Sequence, residues 1–410
     1  EKFLSKKSDF FFIFLIILFV FLIRTPFFFV DFLDSDEATL ILKGLAIVKG
    51  KIPYVDFHNF KPPISSYFLA LPIYIADNSL FVIRFFTALI ISSSCILLYK
   101  IGIQYNFSKI NSFLTSLVFA ISVSFITRSI KSQSFYSEHL SILLILISFY
   151  LFLNCFKKEN NFSFFIQGCL LGIATLNTPY LVFFSIIFTI FPFLFLTGKF
   201  KKKIVNSSYI ILGGSIILVI FLLYFYPKFN NIIPYLFQSA LSDHSSNEIY
   251  PVFKTIYLLI GAGLQVSSIK FFSAFFIWVF GFFGFLHIFF TKNFKQKNLI
   301  LVTIVIILSI SIVLIGYPSG RYLIIISPFY CLLLTYFLNL NLFKNIRFIK
   351  IIILICIFLF PSKDWYKNII VLKKTDLNKR TLSYGKCTDL YKFLESKKLL
   401  NKKIYFQDCH

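Results

Sequence analysis

Charged residues are scarce in this sequence, and acidic residues are the scarcest of them. Of 410 residues, 14% are charged, with 17 Asp and Glu against 41 Lys and Arg. Soluble globular domains carry about 25% charged residues, so this charge content is low for a water-soluble domain. The cysteines have neither a Cys-x-x-Cys spacing nor a Cys/His ligand spacing, which removes the common zinc-site classes. Apolar residues are abundant instead, at 58% of the chain with 59 Phe.

Apolar runs of about twenty residues recur along the chain, the length that crosses about 30 Å of hydrocarbon. The first run is too long for a removable signal peptide and lacks a small-residue cleavage site. We therefore predict an all-α polytopic membrane protein with about eleven spans. The predicted spans are 9–30, 79–100, 112–127, 137–156, 163–178, 180–197, 204–226, 271–290, 299–317, 322–339 and 349–361. The apolar stretch 253–269 is predicted to be interfacial or partly inserted.

Basic and acidic residues occupy different loops between these spans. Lysine and arginine cluster in alternate loops, as in KFKKK at 199–203, while acidic residues concentrate in the others. By the positive-inside rule, the amino terminus is cytoplasmic, and the long loop 31–78 and the tail after residue 361 lie outside. Nucleic-acid binding is not expected, because the basic residues are dispersed among short loops rather than forming one patch.

The chain is predicted to have two parts. Residues 1–361 form the transmembrane domain, with 31–78 as its first extracytoplasmic loop. Residues 362–410 change to soluble patterning, with LYKFLESKKLL typical of a helix and KKIYFQD of a strand. This predicts the start of a small α/β extracytoplasmic domain that is incomplete. Because the chain begins at Glu1 and stops after DCH, we expect it to be a fragment of a longer protein.

The first half of the 31–78 loop carries three acidic residues close together, Asp34, Asp36 and Glu37. A helix is predicted to begin there with Asp36 as its N-cap and to stop at Gly50 and Pro53. Carboxylates in a first turn are favoured in the ionised form, which suits a general base or a metal ligand. Plain helix capping is the alternative interpretation.

The second half of the loop contains Lys61 followed by Pro62 and Pro63. Proline favours the first position of a helix, so a helix start with free N–H groups is predicted beside this lysine. Such a start is an anion site, and a lipid phosphate is the anion expected at this depth. A turn with a lysine extending to the interface is the alternative. His58 lies beside Asp56 in the same loop, where a lone histidine is more often structural than catalytic.

The order of these motifs resembles that of GT-C membrane glycosyltransferases. DEA, then GKIPY-x-D, then KPPI follow the first span directly, and GRYLIIISPFY at 320–330 is similar to an R-Y-x(5)-P pattern that opens a late span. SQSFYSEHLSILL at 132–144 and LGIATLNTPYLVFF at 171–184 are weaker matches, the latter with Asn177 and Thr178 where lysine is common. The nearest resemblance is to the branch of protein O-mannosyltransferases, aminoarabinose–lipid A transferases and rhizobial lipopolysaccharide sugar transferases.

The resemblance implies a GT-C-like helix bundle that transfers a sugar, with inversion, from a polyprenyl-phosphate carrier on the extracytoplasmic side. Asp36 would be the general base, Glu37 the next choice, and Asp34 an extra acid. Substrate contacts would come from Lys61, Asp56, Arg321, Tyr322, Glu138 and His58. A solvated helix end is the alternative for Glu138. No obligatory cofactor is expected, although Asp34, Asp36 and Glu37 could bind a divalent cation.

The expected partners are the lipid-linked donor, a lipid, glycan or protein acceptor, and membrane lipids. The resemblance places the chain in a bacterial inner membrane as a multi-pass protein. A lipid flippase or transporter is the main competing class, and an O-antigen ligase or polymerase is another. Transporters tend to carry charges within spans, whereas here Arg24 and Arg84 lie near the outside ends of theirs. The sequence leaves the sugar and the acceptor open.

Overall fold

The computed structural model describes residues 2–28, 34–57, 63–76, 80–125, 133–156, 159–225, 272–291, 295–313, 322–340, 351–355, 357–358 and 365–366. All regular structure in these ranges is helical, and they contain no strand. The helices are α1 Lys2–Arg24, α2 Ser35–Val48, α3 Ile64–Ile75, α4 Leu80–Gln104, α5 Lys109–Ser124, α6 Ser137–Cys155, α7 Asn161–Asn177, α8 Val182–Phe188, α9 Phe191–Phe195, α10 Phe200–Phe225, α11 Phe272–Phe290, α12 Gln296–Val313 and α13 Leu323–Leu338.

Four segments within the described ranges are helical, long and apolar enough to cross a membrane: Ser8–Phe27, Leu80–Gln104, Ser137–Cys155 and Phe200–Phe225. Further apolar helices, among them Lys109–Ser124, Gln296–Ile312 and Leu323–Leu338, are shorter. These helices indicate a multi-pass membrane protein. The total of eleven spans stays a prediction, and the stretch 253–269 and the predicted tail domain, apart from residues 365–366, lie outside the described residues.

One predicted span has a different form. The run 180–197 is divided into a 3₁₀ turn at Pro179–Leu181 and the short helices α8 and α9. Proline explains the division, because Pro179 and Pro192 each stand in the first turn of a new element and cannot donate a backbone hydrogen bond to a continuous helix.

The helices pack side by side around an apolar core, with α4 against α5 and α6, α6 against α7, and α13 against α5 and α11. The α7–α10 contact is the tightest. A Cβ on Gly168 would collide with the backbone oxygen of Ile210, and one on Gly213 with that of Phe165. Small residues that let two backbones approach are typical of helix pairs in membranes. The outer faces of α1 and α10 expose apolar side chains such as Phe10 and Leu223, as expected of lipid-facing surfaces.

The bundle has two chemically different ends. At one end lie Lys109, Lys202 and Lys297, and we call it the lysine end. Lys109 pairs with Asp9 at 2.7 Å, and Lys202 with Glu159 at 3.2 Å. Two acidic residues at this end are thus each paired with a lysine.

The opposite end, which we call the carboxylate end, holds Asp34, Glu37 and Glu138. The carboxyl ends of α1, α5, α7 and α10 and the amino ends of α4, α6 and α13 meet there. The contacts therefore place these three carboxylates and the three lysines at opposite ends of the described bundle. The compartment that each end faces stays a prediction.

Candidate active site

The start of α2 brings the first carboxylates into place. Asp34 is the N-cap, with extended backbone at φ −147° and ψ 147°, and its side chain accepts a hydrogen bond from the Asp36 N–H at 2.9 Å. The prediction that Asp36 is the N-cap is therefore wrong. The cap lies two residues earlier because an Asp side chain bonds to the N–H two residues ahead. Asp36 and Glu37 occupy the first turn, where the helix dipole favours negative charge.

The end of α2 agrees with the predicted stop. Gly50 has φ +78°, its N–H donates to Ile47 O, and the Lys51 N–H donates to Ala46 O, both at 2.9 Å. These two bonds form a Schellman motif, which needs a residue in the left-handed region after the helix. Glycine meets that need without strain.

Glu37 and Arg84 form an ion pair in the interior. Arg84 Nη2 lies 3.0 Å from Glu37 Oε2, Nε lies 3.4 Å from Oε1, and the two side chains are 1% and 0% exposed. The Phe135 N–H donates to Glu37 Oε1 at 3.1 Å, and Arg84 Nη1 donates to Phe27 O. Both oxygens of Glu37 are thus engaged, so this carboxylate ties α2 to α4 and to the segment before α6.

A second buried arginine lies beside this pair. Arg24 ends α1, is 1% exposed, and donates from Nη2 to Gln133 O at 2.5 Å. Glu37 and Arg84 both lie near enough to interact electrostatically with its guanidinium. The sequence placed Arg24 and Arg84 near the outside ends of their spans but gave them no role. Their position inside predicted spans is the signal that could have identified both arginines as structural, because a charged side chain within a span requires a buried partner.

Tyr136 connects the amino end of α6 to the α2 cap. Its hydroxyl donates to Asp34 Oδ2 at 3.2 Å. Burial, and then the nearby Asp34 carboxylate, raise the pKa of Tyr136 above its ordinary value. The phenol therefore stays protonated and acts as a hydrogen-bond donor. Asp34 is 8% exposed, whereas Asp36 is partly accessible.

Asp56 organises the loop that follows α2. Its Oδ2 accepts a hydrogen bond from the Ile52 N–H at 2.7 Å. The same loop places Tyr54 at φ +66° and packs its ring 5.5 Å from that of Phe225 at the end of α10. The loop is thereby attached to the carboxylate end of the bundle.

Glu138 is buried at 2% exposure in the first turn of α6, and the Ser137 hydroxyl donates to it at 3.2 Å. This burial excludes a solvated helix end. The next residue, His139, is 1% exposed, and its Nδ1 accepts a hydrogen bond from the Tyr136 N–H at 3.1 Å. Tyr322 precedes α13, and its ring centroid lies 5.3 Å from that of Tyr180.

Three predicted substrate-binding residues, His58, Lys61 and Arg321, lie outside the described residues. The nearest described neighbour of Lys61 is Pro63, the N-cap of α3, so this helix begins at Ile64. Within the described ranges, no group of three or more His, Cys, Asp or Glu side chains could hold a metal ion. Of the predicted cation ligands Asp34, Asp36 and Glu37, Glu37 forms an ion pair with Arg84 instead.

Comparison with known proteins gives one family match. A family model described as dolichyl-phosphate-mannose-protein mannosyltransferase matches residues 60–225, a segment that runs from before α3 to the end of α10. A search of curated proteins finds no match. The matched segment contains Arg84, Glu138 and Asn177, and the DEA motif lies before it. The particular branch inferred from the motifs stays a prediction. The apolar helices indicate a multi-pass membrane protein, and residues 60–225 are similar to a family of membrane glycosyltransferases.

Proposed function

We propose that this protein transfers a sugar, with inversion, from a polyprenyl-phosphate carrier to a hydroxyl of a lipid, glycan or protein acceptor. The observation that supports this best is the gathering of Asp34, Asp36, Glu37 and Glu138 at one end of a bundle whose segment 60–225 matches a mannosyltransferase family. Such a site lies where a water-soluble acceptor and a membrane-embedded lipid tail can meet.

Asp36 is the proposed general base. Among the three carboxylates at the start of α2, Glu37 has no solvent exposure and has Arg84 as its ionic partner, while Asp34 caps the helix and accepts from Tyr136. Asp36 is the more accessible carboxylate, and the helix dipole favours its ionised form. An ionised carboxylate within reach of a hydroxyl can take its proton.

The proposed reaction is a single displacement. The acceptor O–H gives its proton to Asp36, and the oxygen forms a bond to the anomeric carbon. The bond from that carbon to the phosphate oxygen breaks, and the phosphate leaves with the electron pair. A phosphate leaving group needs positive charge more than it needs an acid. We assign this charge to Lys61 and Arg321.

The remaining substrate contacts are proposed from the sequence and from their neighbours in the structure. Tyr322 would contact the donor phosphate, and Glu138 would contact a sugar or acceptor hydroxyl. Asp56 would order the loop that carries His58 and Lys61, consistent with its bond to the Ile52 N–H. No obligatory metal is proposed, because the side-chain cations would supply the charge. The carboxylate end is proposed to face outside the cytoplasmic membrane of a bacterium.

The test is transfer by the purified protein in detergent with polyprenyl-phosphate sugars. The wild-type chain should release polyprenyl phosphate in the presence of an acceptor. Asp36→Asn should lower the rate by about 10²–10⁴-fold, the usual contribution of a general base. Asp9→Asn is the matched control, because Asp9 lies at the lysine end, 2.9 Å from the Tyr99 hydroxyl. Full activity in Asp36→Asn would reject the base. Transport of an intact lipid-linked sugar across the bilayer of proteoliposomes, without its cleavage, would favour a flippase.

A further inference from the structure

The corner at the end of α7 is a buried polar junction in an otherwise apolar region. The helix ends at Asn177, Thr178 is its C-cap, and Pro179 begins a 3₁₀ turn. Asn177 is 2% exposed and Thr178 is 3% exposed. A buried side-chain amide is retained only when its donors and acceptor find partners, since each one left without a partner costs about 1–3 kcal/mol.

Asn177 uses its amide to join two other helices. Its Oδ1 accepts from the Ser65 hydroxyl at 2.5 Å, while its Nδ2 donates to Ser137 O at 2.7 Å and to Ser141 Oγ at 2.8 Å. A backbone carbonyl can only accept, so the amide nitrogen must face Ser137. The oxygen must then face Ser65. The partners thus fix the orientation of the amide.

The partners of Asn177 lie close in sequence to two residues to which we assign substrate contacts. Ser65 is in the first turn of α3, the helix that follows Lys61, and we assign to Lys61 a contact with the leaving phosphate. Ser137 directly precedes Glu138, to which we assign a contact with a sugar or acceptor hydroxyl. The Asn177 amide thus joins the start of α3 to the start of α6. These partners are 112 and 40 residues away from Asn177 along the chain.

The same corner also reaches a third proposed contact. Tyr180 packs its ring against that of Tyr322, with the ring centroids 5.3 Å apart and an interplanar angle of 72°. The Thr178 hydroxyl shares a hydrogen bond with Ser141. The α7 corner therefore contacts α3, α6 and the residue before α13, three segments that otherwise approach the carboxylate end from different parts of the sequence.

We propose that Asn177 is a positioning residue, which sets the start of α3 against the start of α6 and so fixes how α3 is placed relative to Glu138, the proposed hydroxyl-binding group. This inference rests on the proposed glycosyl transfer. Misplacing a reacting group by about 1 Å can lower a rate by about 10²-fold, so a residue that touches no substrate can still control turnover.

The main variant is Asn177→Leu, which keeps the approximate size of the side chain and removes its hydrogen bonds to Ser65, Ser137 and Ser141. Its matched control is Asn206→Leu. Asn206 is a second buried asparagine, 1% exposed, on α10 at the lysine end, where its Nδ2 donates to Glu159 at 2.9 Å. Ser65→Ala is a milder second variant that removes only the bond to α3, and it serves if Asn177→Leu fails to fold.

The first readout is steady-state transfer together with the melting temperature of each variant. We expect kcat/KM to fall about 10–100-fold in Asn177→Leu, and to change by less than about threefold in Asn206→Leu at a similar loss of melting temperature. The Ser65→Ala, Asn177→Leu double variant should be no slower than Asn177→Leu, because both changes break the same bond. Equal losses of activity in the two asparagine variants at equal stability would overturn the proposal.

The second readout needs no activity. The Tyr67 N–H donates to Pro63 O at 2.9 Å and begins the hydrogen-bonded part of α3. Its hydrogen exchange should rise several-fold in Asn177→Leu and Ser65→Ala, but not in Asn206→Leu. Unchanged exchange in Asn177→Leu would overturn the positioning role. If the wild-type chain transfers no sugar, the proposed function is rejected. Hydrogen exchange of the Tyr67 N–H then decides by itself whether Asn177 stabilises the start of α3.

Discussion

At the residue scale, Glu37 and Arg84 carry opposite charges in an interior that excludes water. Their side chains are 0% and 1% exposed, and their closest atoms lie 3.0 Å apart. Moving two charges out of water is costly, and the attraction between them offsets that cost only while both are present. The pair therefore fixes the place of α2 more than it adds net stability.

Removing one partner should be far more harmful than replacing both. Arg84→Ala should destabilise the protein by about 3–5 kcal/mol, because Glu37 is left as an unpaired buried charge. Glu37→Gln combined with Arg84→Met should recover most of this loss, since Gln can still accept from the Phe135 N–H. Thermal unfolding in detergent measures both. A double variant as unstable as Arg84→Ala would show that the ionic contact is not the cause.

At the element scale, α2 is held by a cap, an ion pair and a turn. Asp34 caps its amino end, Glu37 joins it to α4, and Gly50 ends it. Its packing against α3 is close, because a Cβ on Gly44 would lie 2.9 Å from Ile73 Cδ1 and 3.2 Å from Ser66 O. The helix that carries the proposed base is thus restrained at both ends and along one side.

The stability of α2 should depend on the hydrogen-bond acceptor in the side chain of residue 34 and not on its negative charge. Asp34→Ala should cost about 0.5–2 kcal/mol, the usual value of an N-cap, and should speed amide exchange in the first turn. Asp34→Asn keeps an acceptor for the Asp36 N–H and should cost less. Asn160→Ala, which removes the cap of α7 at the lysine end, is the control and should leave α2 exchange unchanged. If Asp34→Asn and Asp34→Ala destabilise the protein equally, the negative charge of Asp34, and not its hydrogen bond, would be what stabilises α2.

At the scale of the whole molecule, three lysines and three carboxylates of the described residues mark opposite ends of the bundle. Lys109, Lys202 and Lys297 lie at one end, and Asp34, Glu37 and Glu138 at the other. The positive-inside rule then predicts a cytoplasmic lysine end. Both ends have an exposed lysine suited to labelling, Lys49 after α2 and Lys201 in α10.

Thiol labelling in intact cells tests this orientation. In Lys49→Cys, a membrane-impermeant maleimide should react before permeabilisation, whereas in Lys201→Cys it should react only afterwards. The unsubstituted chain controls for native thiols, of which Cys95, Cys155 and Cys331 are buried. The reverse pattern would place the carboxylate end in the cytoplasm and contradict the proposed site of transfer.

The features that the sequence predicted are those that depend on neighbouring residues. Helix boundaries such as Leu80, Ser137 and Leu323 fall within one or two residues of the predicted span starts, because apolar runs and caps are local properties. The stop at Gly50 was predicted for the same reason. The N-cap was placed two residues late, at Asp36, because three acids in four residues offer several caps.

The apolar runs of the sequence were enough to predict a helical, multi-pass membrane protein. Only the tertiary structure decided that Glu37 is committed to Arg84, 47 residues away, and that Asn177 joins Ser65 to Ser137. The reason is physical. Burial in an apolar medium is set by the local run of residues, whereas the role of a buried polar group is set by the partner that satisfies it.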